Sequence, residues 1–241
     1  MPDFSVDNLP RYLNGALITL ELAAFSCAIG FLVAIPVALM RLSENRVLYS
    51  LSTVYVLFFR GTPLLAQIFL IYYGSGQFRE TLDGVGLWIL FRDPWFCALL
   101  TLTLNTAAYT SEILRGAIRS IPRGEIEAAI ALGLRRVPRL RLLILPRAIG
   151  LAWPAYTNEV VYQIQATSLV SIITVMDITG VARVIGSRYF TFYEAFGVAA
   201  VMYLLLVYGF LFFARRIETR LHAHLETGVR RSQLAPAGLT R

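Results

Sequence analysis

The apolar residues of this chain are gathered into five blocks. Each is close to the length of about 20 residues that a helix needs to cross roughly 30 Å of hydrocarbon. They run from about Gly15 to Met40, Leu51 to Tyr73, Trp95 to Leu114, Ile149 to Val175 and Phe192 to Ala214. A shorter piece, Val85 to Phe91, is too brief to span and is expected at the interface or as a re-entrant turn. Of the 241 residues, 57% are hydrophobic and 15% charged, with a mean hydropathy of +0.63. Ordinary soluble domains are about 45–50% apolar and about 25% charged. The spacing predicts an all-α membrane protein of about five transmembrane helices.

All 22 basic residues are arginine. A net charge of +7 could suit nucleic acid, but the arginines sit beside the oily blocks, which points to a lipid bilayer and not to nucleic acid. Sixteen arginines fall on one side of a five-span topology and five on the other, with Arg60 inside a span. Excess positive charge marks cytoplasmic loops, so the N-terminus is expected outside and the C-terminus in the cytoplasm. Residues 1–225 read as a single transmembrane domain, with a long cytoplasmic loop at about 116–147 and a polar, disordered tail at 226–241. Cys27 and Cys97 lie in apolar runs and read as buried helix residues. No metal-ligand spacing occurs, and His222 and His224 lie in the polar tail. Acidic Asp3 and Asp7, without a basic stretch, do not look like a cleaved signal peptide.

Within the long loop the pattern turns amphipathic. Ile126, Ala129, Ile130, Gly133 and Leu134 recur at three- and four-residue steps, predicting a short helix between Pro122 and Val137. Pro122 suits its first turn. Glu125 and Glu127 lie near its positive end, and Arg135 and Arg136 near its negative end. Such a helix could rest on lipid headgroups or fit a groove of a soluble partner. Its small residues and lack of aromatics favour the second.

The segment Glu127-Ala128-Ala129-x3-Gly133, followed after nine residues by Leu143-x-Leu145-Pro146, resembles the EAA signature of ABC-importer permeases, with Leu143 where that family often has Ile. Leu104 to Ile118, Arg60-Gly61-Thr62-Pro63-Leu64-Leu65 and Thr167-Ser168-Leu169-Val170-Ser171 are similar to the polar amino acid subfamily, which includes histidine, lysine/arginine/ornithine and opine uptake systems. The resemblance covers roughly residues 10–220. It implies the type I ABC importer permease fold in a bacterial inner membrane. It also implies two permease subunits (a similar chain or a second copy), two ATP-binding subunits and an external solute-binding protein. By that likeness Glu127, Ala128, Ala129 and Gly133 lie on the coupling helix. ATP and Mg belong to the partner ATPase. This chain has no lysine for a Gly-x4-Gly-Lys-Ser/Thr phosphate loop and is not itself expected to be an enzyme.

Polar groups inside spans are costly and are functional candidates. Glu21 reads either as an interface residue or as a cavity-facing carboxylate. Arg60, Gly61, Thr62 and Pro63 read as a kink, with Arg60 paired to a carboxylate, or as a gate. Asn105 and Tyr109 share a helix face, and Glu112 reads as an ion-pair partner near the cytoplasmic end. In the fourth block Glu159, Gln163, Gln165, Thr167 and Ser168 serve either helix packing or a solute-lining face, with Gln165, Thr167 and Ser168 as the expected contacts. The neutrality of Gln165 leaves open whether this chain or its partner holds the solute. An ATPase-driven importer is the favoured function. A channel or scaffold would explain the polar fourth block but not the small-residue helix. An intramembrane enzyme lacks paired aspartates or a membrane histidine.

Overall fold

A computed structural model describes residues 8–233, and every regular element in them is helical. In chain order these are α1 (Leu9–Met40), α2 (Arg46–Gly61), α3 (Leu64–Gln77), α4 (Arg79–Gly84), α5 (Trp88–Phe91), α6 (Pro94–Arg119), α7 (Arg123–Ala131), α8 (Arg136–Arg139), α9 (Leu145–Ala166), α10 (Ile178–Tyr189) and α11 (Phe192–Gln233). A π turn, Leu140–Ile144, precedes α9, and a 3-10 segment, Thr167–Ile173, follows it.

Two helices are long and apolar enough to cross a membrane alone, Leu9–Met40 and Phe192–Glu218. Two bent pairs are long and apolar enough only when each pair is taken together, as a broken span or a re-entrant loop. Arg46–Gly61 and Leu64–Gln77 meet at 105°, and Arg136–Ile173 meets Ile178–Tyr189 at 48°. The fifth rod, α6, has 26 residues, about 39 Å at the rise of an α-helix, but is too polar to pass as apolar. Its threonines, Asn105 and Ser111 are buried inside the protein instead.

The sequence showed the second block as one interrupted span. The structure turns it sharply, because Pro63 pushes Thr62 out of the helical region (φ −113, ψ 147) and cannot donate the next helical hydrogen bond. The fourth block ends at Thr174, which is left-handed at φ 69. Beyond it, α10 was read from sequence as part of a loop. Asp177 caps it by accepting from the Thr179 and Gly180 amides, and Ile178, Val181, Ala182 and Ile185 form its buried stripe. The segment expected to be a disordered tail from 226 is helical as far as Gln233, as the tail's Leu, Ala, Glu and Arg content permits. Residues 234–241 lie outside the described residues.

Packing radiates from α1. Ser26, Gly30, Ala34 and Ala38 lie at four-residue steps and are buried, a small-residue ridge that lets α6 approach closely. A Cβ on Gly30 would lie 2.5 Å from the Thr106 methyl and 3.3 Å from the Thr103 carbonyl. Leu22, Ile68, Leu102 and Ile173 build one core cluster, and Tyr12, Ile178, Ile185 and Ala195 build a second. A third joins Ala34, Leu114, Ile121 and Ala148. Near one end of α6, Glu112 sits 3.0 Å from Arg41, 2.6 Å from Arg115 and 3.9 Å from Arg60. That carboxylate joins α1, α2 and α6.

Gly15 is the tightest backbone contact at the other end of α1. A Cβ there would lie 3.0 Å from the Asp177 carbonyl and the Ile178 amide, and backbone cannot rotate away. Gly15→Ala gains about 1 kcal/mol of helix propensity but overpacks by about 1–3 kcal/mol. Its expected outcome is a lower thermal midpoint of the purified protein in detergent. Gly116→Ala, where nothing lies within 4 Å, is expected to raise the midpoint or leave it unchanged.

Candidate coupling surface and solute pathway

The helix α7 is a nine-residue element that ends in a built stop. The Leu134 amide donates to the Ala129 carbonyl and the Gly133 amide to the Ile130 carbonyl. Gly133 itself lies at φ +78. This is the Schellman arrangement, in which the left-handed residue is glycine for want of a Cβ. The helix is thus shorter than the Pro122 to Val137 read from sequence, and α8 is a separate turn.

The four residues placed on a coupling helix do not all face the same way. Glu127, Ala128 and Gly133 are exposed. Ala129 is 5% exposed and turned into its own chain, so it seats the helix and cannot meet a partner directly. The outer face also carries Ile130 at 53% and Leu132 at 82% exposure, which sequence reasoning had treated as helix periodicity or omitted. A Cβ on Gly133 would touch nothing within 4 Å in this chain.

The motif's second half has its own mechanical basis. Pro146 lies in the first turn of α9 and has no N–H to donate backwards. The preceding turn widens, and the Leu145 amide reaches the Leu140 carbonyl five residues back. Arg147 then pairs with Glu125 at 3.1 Å, tying α7 to the foot of α9.

The polar residues of α6 and α9 divide into two groups. The first is buried and engaged. Thr106 donates to Glu159 Oε1 at 2.9 Å. Gln163 donates to Ser26 Oγ at 2.9 Å and to the Leu102 carbonyl at 3.2 Å. Asn105 donates to Gln67 Oε1 at 3.0 Å and to the Phe59 carbonyl at 3.2 Å. Gln67 in turn donates to the carbonyls of Phe59 and Thr62 and to the Thr62 hydroxyl at 2.8 Å. Thr167 is fully buried on the Ile164 carbonyl. Asn105, Thr62 and Thr167 therefore hold the helices and the break after Gly61. Gln67, which carries most of that load, was not singled out from sequence, although an amide four residues after Pro63 was its signal.

The second group faces outward. Arg60 and Gly61 are exposed, with Tyr109 half-buried beside them, and these three line a cleft of about 240 Å³ with Val56 and Leu57. The Arg60 guanidinium lies 5.2 Å from the centre of the Tyr109 ring. The rings of Tyr109 and Tyr162 are 6.2 Å apart. Asn158, Tyr162 and Gln165 are exposed along one face of α9, at the four- and three-residue steps of a helix stripe. Ser168 is half-buried, and Glu21 is exposed among Leu17, Leu20 and Phe25, apart from this face.

Residues 28–223 match the family described as the binding-protein-dependent transport system inner membrane component. The chain is 49% identical over 224 residues to the nopaline transport system permease protein NocM of Agrobacterium fabrum, covering 93% of each chain. It is 42% identical to the histidine/lysine/arginine/ornithine transport system permease protein HisM of Salmonella typhimurium, covering 89% of this chain and 91% of that one. A solved amino acid ABC transporter with histidines superposes with a TM-score of 0.76 at 30% identity, covering 90% of this chain and all of that one. An inward-facing MetNI methionine ABC transporter shares the fold, with a TM-score of 0.72 at 21% identity, covering 90% of this chain and 99% of that one. The built helix stop, the polar α6–α9 seam and these likenesses have one source: the chain belongs to the binding-protein-dependent transport system inner membrane component family, the multi-pass permeases of ABC importers.

Proposed function

We propose that this chain is the membrane subunit of an ATP-driven importer for a polar amino acid of basic or opine type. The observation that carries the coupling half of this reading is α7. It is a short helix with a small-residue and apolar outer face, closed by Gly133 and tied to α9 through Glu125 and Arg147. Such a face fits the groove of a soluble partner better than a headgroup layer, since it lacks aromatic anchors. Two ATP-binding subunits using ATP and Mg, a second permease and an external solute-binding protein complete the assembly. Closure of the ATPase pair on ATP moves α7, hydrolysis releases it, and the helices rock between outward and inward access. The Arg60–Tyr109–Tyr162–Gln165 face lines the route. The surplus of arginine beside α7 and in the segment after the fifth apolar block supports a cytoplasmic side for both and an N-terminus outside.

Gly133→Val forces a β-branched residue into left-handed backbone and adds bulk to the docking face. Insertion is expected to persist, while uptake in proteoliposomes falls at least tenfold and ATP hydrolysis no longer responds to solute. Gly133→Asn tolerates the backbone and so reports on bulk alone, with an intermediate loss expected. Full transport by the valine variant would remove the coupling assignment.

The orientation is checked by cysteine labelling in spheroplasts. The native Cys27 and Cys97 are buried and give little background. A membrane-impermeant maleimide is expected to label Glu80→Cys in intact spheroplasts and Ala131→Cys only after permeabilisation. The opposite pattern reverses the topology.

A further inference from the structure

We propose that the cleft between the start of α1 and α10 is a binding site for an anionic phospholipid, with Arg11 and Arg188 holding its phosphate and the apolar lining holding the upper part of an acyl chain. The site is separate from the solute face and does not depend on which solute is carried.

The cleft has a volume of about 430 Å³ and takes a wall from each helix. Arg11, Asn14 and Ile18 line it from α1, at the three- and four-residue steps of one helix face. Val184, Ile185 and Arg188 line it from α10 on similar steps. Each wall thus carries one guanidinium and an apolar remainder. Among the described residues neither guanidinium forms a hydrogen bond or an ion pair. Arg188 lies only against the ring of Tyr189, 5.8 Å from its centre. No carboxylate lines the cleft. Two unpaired guanidiniums without an acid beside them attract an anion and repel an ammonium, and the planar fork of arginine matches a phosphate. The charge therefore favours a phospholipid with a net negative head over one whose head is zwitterionic.

Depth in the membrane favours a lipid over a soluble anion. The 32 residues of α1 measure about 48 Å at the rise of an α-helix. Hydrocarbon is roughly 30 Å thick, and about 40–45 Å with its headgroup layers. Arg11, in the first turn of α1, therefore stands at headgroup level, and Ile18 lies two turns deeper. Leu13 and Leu17 are exposed beside them, as on a lipid-facing side. At the turn from α10 to α11, Phe190 and Tyr193 are 88% and 92% exposed, the aromatic marker of a membrane interface. The far end of α1 meets Glu112 through Arg41, at the end of α6 that leads to α7, so the cleft belongs to the leaflet away from α7. A free phosphate, or an acidic side chain of another protein, would satisfy the arginines and leave the apolar lining empty. A phosphate that carries an acyl chain fills both. Basic pockets between membrane helices receive anionic lipid heads by the same attraction.

The test uses the full chain with its co-purifying subunits in nanodiscs of phosphatidylethanolamine and phosphatidylglycerol. A fluorophore is attached at Ser187→Cys, beside the cleft, or at Val47→Cys, in the first turn of α2 at the other end of the bundle. Quenching by brominated-chain phosphatidylglycerol and by brominated-chain phosphatidylethanolamine gives the relative binding constant of the two lipids at each place. At the Ser187 position phosphatidylglycerol is expected to win by at least about tenfold. Arg11→Gln and Arg188→Gln each lower that ratio about fivefold, the double variant brings it near one, and Arg11→Lys keeps most of it. Asp7→Asn, which removes the acid nearest Arg11 in sequence, is expected to keep or raise the ratio. The ratio at the Val47 position stays the same throughout. A ratio near one in the unsubstituted chain, or one that survives the double variant, overturns the site. So does an equal fall at both positions, which would trace the preference to the net charge of the whole chain. Glycerol 3-phosphate is expected not to relieve the quenching, and relief by it at millimolar concentration would make the ligand a soluble phosphate ester. Weaker binding of the external solute-binding protein to the arginine variants, with the lipid ratio unmoved, would make the cleft a protein-docking surface and overturn the lipid.

Discussion

A helix as polar as α6 cannot stand in hydrocarbon. Each unsatisfied polar group there costs several kcal/mol, and α6 carries Thr101, Thr103, Asn105, Thr106, Thr110 and Ser111, all buried. The other long elements are arranged around that need. The small ridge of α1 lets the two backbones close on one face. Gln67 of α3 and Glu159 of α9 engage Asn105 and Thr106 on others. Shelter is not complete, since the hydroxyls of Thr103 and Thr110 have no partner among the described residues. Their burial within a close-packed seam still keeps them from lipid.

The same constraint explains why the chain can break where it does. Irregular backbone at membrane depth survives only where protein satisfies it. At Thr62 and Pro63 the freed carbonyls of Phe59 and Thr62 are taken by the amides of Gln67 and Asn105. The break therefore depends on α6. It also ends α2 with Arg60 beside Tyr109 and outside the hydrogen-bonded cluster of Glu112. A polar central helix thus determines where Arg60, 3.9 Å from Glu112, is presented.

Block length and apolarity made α1 and α11 legible in the sequence, because both face lipid over much of their surface and behave as isolated spans. The bends were not legible. A hydropathy pattern reports total oil, not direction, and only Pro63 hinted at the turn between α2 and α3. The 12-residue α10 escaped because an amphipathic helix with Arg183 and Arg188 resembles a charged loop when only oil is counted, and Asp177, which caps it, was not singled out. At the site, residue type alone could not separate glue from lining. Asn105, Glu159 and Thr167 looked as available as Gln165, and burial divides them. Tyr162 was missed because an aromatic residue in a span is ordinary until its spacing to Asn158 and Gln165 is read as a stripe. Gly133 was found through its motif, but the reason for it, a left-handed residue closing a Schellman stop, is a property of the backbone.

The two halves of the proposed machine meet in α9. Its foot is joined to α7 by the Glu125–Arg147 pair at 3.1 Å, and its 22 residues carry Glu159, Tyr162 and Gln165 further along the same rod. A stiff helix of about 33 Å transmits displacement, and what decides the motion is where it can pivot. Two places are soft. The π turn before Pro146 has longer-reaching hydrogen bonds and one missing donor, and the interior Pro154 removes another. Between and beyond them the helix is seated by Gln163 on Ser26 and by Trp153 on the Ala214 carbonyl at 3.3 Å. A push on α7 therefore tilts the lower part of α9 about its joint while the buried seam with α1 and α6 holds. The exposed stripe then moves relative to Arg60, which belongs to α2 and is anchored separately. Alternating access in such a subunit needs only that the two walls of the face ride on different elements, and Arg60 and Gln165 do.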